Sequence, residues 1–127
     1  MMIYPTGEKP MLKDPYYTFY EIFKHQQWNR MVAVGYSFRD DPINIAIMEN
    51  LEKVEQSTLI VINPEAEKVI KNLGVIGKKY NNRIIRIPEP LSDNDVLFNK
   101  LNLAIRVNTW KQYQERLWKE FKEKINL

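Results

Sequence analysis

The chain has 127 residues and a mass of 15.2 kDa, which suits one domain built around one modest core. Hydrophobic residues at 44% and charged residues at 28% exclude a disordered chain, and the lack of cysteine excludes disulfides, thiolate nucleophiles and cysteine metal sites together. The net charge of +3 and pI near 9.0 are mild because Lys and Arg are interspersed with Glu and Asp, a weak hint at an anionic partner that ordinary solubility explains at least as well; nucleic acid is not the expected partner. No apolar run approaches the roughly 20 residues that cross a bilayer. The N-terminus, Met-Met-Ile-Tyr-Pro-Thr-Gly-Glu, has no basic segment followed by an apolar one, so no membrane association and a cytoplasmic location are expected.

In chain order, Ile3 and Tyr4 suit a short strand closed by Pro5, Gly7 and Pro10. Asp14 with Pro15 reads as a cap with Pro in the first turn, opening a helix that carries Tyr16, Phe19, Tyr20 and Phe23 at spacings of three and four, extending as far as Trp28. A strand follows over Arg30–Gly35. Asp40, Asp41 and Pro42 then start a helix with Ile43, Ile47 and Leu51 on one side. Thr58–Asn63 is the next strand, and its consecutive apolar residues suit a central position covered on both faces. Pro64 and Glu65 open a third helix that buries Val69, Ile70 and Leu73 and stops at Gly74. Arg83–Ile87 is a fourth strand, ended by Pro88 and Pro90. A last helical region starts near Ser92, where Ser92, Asp93 and Asp95 supply caps and first-turn charge.

This alternation predicts an α/β fold: a three-layer, Rossmann-like parallel sheet of about four strands made of right-handed βαβ units over residues 1–105. Residues 106–127 add a long amphipathic helix. Trp110, Tyr113, Leu117, Phe121 and Ile125 share its apolar stripe, while Lys111, Gln114, Glu115, Lys119, Lys122 and Glu123 take the other faces. Packing on its own sheet is the leading expectation for this helix, with a subunit interface as the alternative.

In open parallel sheets ligands sit beyond the carboxyl ends of the strands. Gly35 provides clearance there, Ser37 a hydroxyl, and Asn63 an amide suited to ribose hydroxyls. The helix N-terminus near Asp40–Asn44 faces the same region, but Asp40 and Asp41 oppose a phosphate, so ribose recognition fits better than phosphate binding. An ordinary strand-end turn accounts for the same spacing.

At these residues the chain resembles a family. Val34-Gly35-Tyr36-Ser37-Phe38-Arg39-Asp40-Asp41-Pro42-Ile43-Asn44 and Ile60-Val61-Ile62-Asn63-Pro64 resemble the C-terminal half of sirtuin-like NAD-binding domains, in the bacterial and archaeal branch outside the classical deacetylases. Ile3-Tyr4-Pro5-Thr6-Gly7-Glu8-Lys9 resembles the segment that precedes this half, so the likeness runs over about Ile3–Leu101. The resemblance implies that Gly35, Ser37 and Asn63 contact the adenosine ribose, with Tyr36, Asp40 and Asn44 completing the cofactor-binding set, and that NAD or ADP-ribose is the weakly held ligand.

The upstream phosphate loop, the Gln-Asn-x-Asp-type segment and the catalytic His of that family have no counterpart here. His25, the one histidine, lies in an aromatic-rich stretch and suits a surface or packing role. The expectation is therefore half of a binding site, not catalytic by itself, without metal, from a truncated or split gene product or a fold that lost its chemistry. A complete parent domain would resemble NAD-consuming sirtuin-like enzymes. A homodimer, or a chain that supplies the missing half, is the expected partner, because a former central strand would be left as an edge. The alternative is a non-catalytic oligomerisation or interaction protein.

Two further motifs carry less. Thr6-Gly7-Glu8-Lys9-Pro10 matches a zinc-finger linker, but no cysteine exists to build a finger. Gly74-Val75-Ile76-Gly77-Lys78-Lys79 has the form of a backbone-clamping loop of KH domains, whose antiparallel sheet the strand pattern does not match. Asp93 and Asp95 are better read as helix-capping residues than as a metal pair.

Overall fold

The computed structural model describes residues 2–3, 21–92 and 94–125. The expected first helix therefore lies outside the described residues except for its end, α1, residues 21–25; Tyr4, Asp93 and the last two residues lie outside as well. Four parallel strands, β1 (Met2–Ile3), β2 (Arg30–Val34), β3 (Thr58–Ile62) and β4 (Ile84–Ile87), pair in the order β1-β2-β3-β4. Because β1 contributes only two residues, β2, β3 and β4 carry the sheet. The helices are α2 (Asp41–Lys53), α3 (Ala66–Ile70), α4 (Val75–Lys79), α5 (Asp95–Ile105) and α6 (Trp110–Ile125).

The period-two pleat sorts the strand residues onto two faces. Met31, Ala33, Leu59, Val61 and Ile84 point to one face, where they pack with Phe23, with Ile43, Ile47 and Leu51 of α2, and with Val69 and Ile70 of α3. Val32, Val34, Ile60, Ile62, Ile85 and Ile87 point to the other, against Leu97, Leu103 and Ala104 of α5 and Tyr113 of α6. Every residue of β3 is buried, as its uninterrupted apolar run requires.

A sheet whose strands advance steadily in one direction must carry all its right-handed crossovers on one face. Accordingly α2 and α3 both lie on the Met31 side, and the opposite face is covered by chain that follows β4. Arg30 ties that cover to the sheet: its Nε donates to the carbonyl of Ile105 at 2.9 Å and Nη2 to Asn108 Oδ1 at 2.6 Å. Burial lowers the pKa of this guanidinium. Arg83 serves in the same way at the end of α2, donating to the carbonyl of Leu51 in the last turn and to those of Val54 and Glu55 just beyond it.

Several boundaries differ from expectation for local reasons. The third helix stops at Ile70 and continues as a tighter turn over Lys71–Leu73, and a further helix, α4, follows Gly74. The last helical region starts at Asp95, with Asn94 and not Ser92 at the cap; Asn94 Oδ1 accepts from the Leu97 N–H at 2.8 Å. The C-terminal helix has 16 residues, and only its first half packs on the sheet: Trp110, Tyr113 and Leu117 join the core, whereas Trp118, Phe121 and Ile125 are exposed. No helix among the described residues is long and apolar enough to cross a membrane.

Candidate functional site

The carboxyl ends of β2 and β3 meet side by side. Val34 and Ile62 are register partners, and the Gly35 N–H continues the pairing to the Ile62 carbonyl at 3.2 Å. Gly35 then turns the chain with φ of 65°, a left-handed conformation that a side chain disfavours, and the space where its Cβ would lie is empty within 4 Å. The chain thus leaves the sheet without placing any side chain over the strand ends at this position.

The next residues form a buried polar knot. Tyr36 is 2% exposed, and its hydroxyl donates toward Asn44 Oδ1 (3.0 Å) and the Asp40 carbonyl (3.2 Å) and accepts from the Asp40 N–H (3.2 Å). Burial, the largest cause, and the charges of Asp40 and Asp41 push the Tyr36 pKa well above the usual phenol range. Asn44, buried in the first turns of α2, donates through Nδ2 to the Phe38 carbonyl at 2.8 Å. That bond holds Phe38, which is buried and has φ of 59°, in a left-handed conformation rare for a bulky residue. Asp40 Oδ1 caps α2 by accepting from the Ile43 N–H at 3.3 Å.

Of the six residues singled out from the sequence, Tyr36, Asp40 and Asn44 therefore spend their side chains on the turn itself. Gly35, Ser37 and Asn63 remain toward the strand-end surface. Asn63 Oδ1 accepts from the Glu65 N–H at 2.8 Å, closing a turn before α3, while its amide NH₂ and the Ser37 hydroxyl make no hydrogen bond among the described residues. Asn72 was not legible as part of this region; its Nδ2 donates to the Ser37 carbonyl at 2.7 Å and fixes the β2 loop against the turn after α3. A polar residue inside the tight turn Lys71–Leu73 carries no pattern that points across 35 residues to Ser37.

The other sequence candidates fall elsewhere. His25 is on the surface, 3.1 Å from Glu21 Oε2 one helical turn away. Gly74 and Gly77 serve backbone packing: Gly74 has φ of 57°, and a Cβ on Gly77 would approach the Ile70 carbonyl to 3.1 Å. They border a groove of about 630 Å³ with Lys71, Lys78 and Arg86. Arg86 is 6% exposed; Nη1 donates to the carbonyls of Asn81 and Ile84, Nη2 donates to Asn81 Oδ1, and Glu67 lies 3.0 Å from Nε. Burial lowers its pKa, and the Glu67 carboxylate partly offsets that. Among the described residues no three His, Cys, Asp or Glu side chains converge as a metal site would need.

The strand order among the described residues never reverses, so the sheet by itself has no switch-point crevice of the kind in which nucleotides bind in doubly wound folds. Comparison with protein-family models, with curated proteins and with solved structures found no match to this chain.

Proposed function

We propose that the chain is the adenosine-side half of a sirtuin-like NAD- or ADP-ribose-binding domain, in which Gly35, Ser37 and Asn63 receive the ribose. The observation that carries this reading is the pair of uncommitted polar groups, the Ser37 hydroxyl and the Asn63 amide NH₂, on adjacent strand ends beside a glycine with open space over it. A hydroxyl that donates and accepts and an amide that donates match the vicinal hydroxyls of a ribose. Tyr36, Asp40 and Asn44 act behind them by holding the turn in shape.

Among the described residues no strand pairs with the far side of β1, and the steady strand order puts the missing reversal there. A strand from another polypeptide laid beside β1 would create the missing reversal, and with it a crevice at the carboxyl end of β1, next to the β2 loop that carries Gly35 and Ser37. In this reading the chain binds the adenosine portion weakly alone and firmly with its complement, and chemistry belongs to the complement.

Calorimetric titration with ADP-ribose, adenosine and NAD tests the proposal. Saturable binding is expected, weakened about tenfold or more by Ser37→Ala. Asn63→Asp is the matching variant, because it keeps the acceptor used by Glu65 and removes only the free donor. Absence of heat up to millimolar ligand, or binding indifferent to both substitutions, overturns it.

A further inference from the structure

The outer half of α6 exposes apolar side chains that the two core clusters leave out. Trp118, Phe121 and Ile125 are 59%, 52% and 64% exposed, and the Trp118 and Phe121 rings stack on each other at 5.6 Å. At 100° per residue, Gln114, Trp118, Phe121 and Ile125 fall within a sector of about 60° that adjoins the Tyr113 and Leu117 face, and Gln114, Trp118 and Phe121 form one wall of an open groove of about 590 Å³ whose other side is Arg86, Pro88 and Lys100. Lys122 and Glu115, both exposed, border this sector on the side away from the sheet.

We propose that this stripe pairs with the same stripe of a second copy of the chain, the two helices running antiparallel about a twofold axis between Trp118 and Phe121. The argument is one of charge and symmetry. A parallel pair would set the Glu115 and Lys122 border of one helix against the opposite border of the other, which is occupied by Leu117 and the body of the domain. An antiparallel pair sets this border against its own copy. With the axis between Trp118 and Phe121, each Trp118 lies opposite the partner's Phe121, and Gln114 opposite the partner's Ile125. Each Glu115 then lies within two residues, about 3 Å along the axis, of the partner's Lys122. Both ion pairs form at once, because the symmetry repeats them. Residues 118–125 are exposed on all sides of the helix, so the body of the domain leaves room for a second helix here. The pairing does not depend on the strand-end site.

The test is the molar mass of the full chain in solution, by sedimentation or light scattering over a range of concentrations. A monomer–dimer equilibrium is expected, abolished by Trp118→Glu. Glu115→Lys and Lys122→Glu each weaken association about tenfold, since each sets like charges together twice, and the double variant Glu115→Lys/Lys122→Glu restores it. Circular dichroism of each variant confirms that the fold survives. A monomer up to millimolar concentration overturns the proposal. So does a dimer untouched by Trp118→Glu, or a double variant no better than the single ones.

Discussion

Tyr36 and Tyr113 are buried to the same degree, 2% and 1% exposed, and each rests against a neighbouring ring, Phe38 at 4.7 Å and Trp110 at 5.5 Å. Their hydroxyls differ completely. That of Tyr36 is hydrogen-bonded to Asn44 and to the backbone of Asp40, whereas that of Tyr113 has no hydrogen-bond partner among the described residues. Beyond β2 the polar atoms define the backbone, including a left-handed Phe38, and so shape the strand-end surface. At the root of α6 the ring fills space against β4, and its hydroxyl is tolerated without specifying anything. A buried polar group is evidence of a shaped site only where its partners are accounted for.

Three substitutions sharpen this contrast, each measured by chemical denaturation. Tyr36→Phe takes from the buried Asn44 Oδ1 its hydroxyl donor and is expected to cost about 2 kcal/mol. Gly35→Ala meets open space, so its cost is backbone strain alone, about 1 kcal/mol, with the fold retained. Tyr113→Phe removes an unpaired hydroxyl and is expected to change stability by about 0.5 kcal/mol or less, or to raise it. An equal loss for both Tyr→Phe variants breaks the comparison.

Alkaline pH supplies a second measure of Tyr113. Burial, helped by the charges of Glu89 and Glu120, pushes its pKa from 10.0 up to about 12. Between these values the unfolded chain releases the phenol proton while the folded chain keeps it, so the unfolded state binds fewer protons and stability falls as pH rises from about 10 to 12. In Tyr113→Phe the denaturation midpoint should fall less steeply across that window.

Much of the fold was legible because local chemistry and tertiary structure agree. Asp40, Asp41 and Pro42 announce α2, and Ile43, Ile47 and Leu51 are the face it buries. The apolar run in β3 announces a strand covered on both sides. The arginines were not legible. Arg30 and Arg83 stand in the sequence only as strand starts, yet each closes backbone carbonyls that come within reach only when distant segments meet, as Arg30 does with Ile105 and Arg83 with Val54, while Arg86 closes the nearby carbonyls of Asn81 and Ile84. Asn94 does not stand out as a cap because Ser92 and Asp93, two residues and one residue earlier, offer the same chemistry. The strand-end candidates were legible as a set, but spacing alone did not separate Asn44, committed to Phe38 and Tyr36, from Ser37, whose hydroxyl makes no hydrogen bond among the described residues.

The amino-acid sequence by itself determined the α/β alternation, the start of α2 and the apolar stripe of α6, because each follows from neighbours within a turn or a strand. Tertiary structure alone decided how that stripe divides. Trp110, Tyr113 and Leu117 reach the sheet and are buried, while Trp118, Phe121 and Ile125 are left in solvent, because burial depends on where β4 and α5 end and not on the periodicity of α6. It likewise decided which polar side chains near Gly35 are spent on the turn and which are free, since a hydrogen bond is made only when the chain brings its partner within reach.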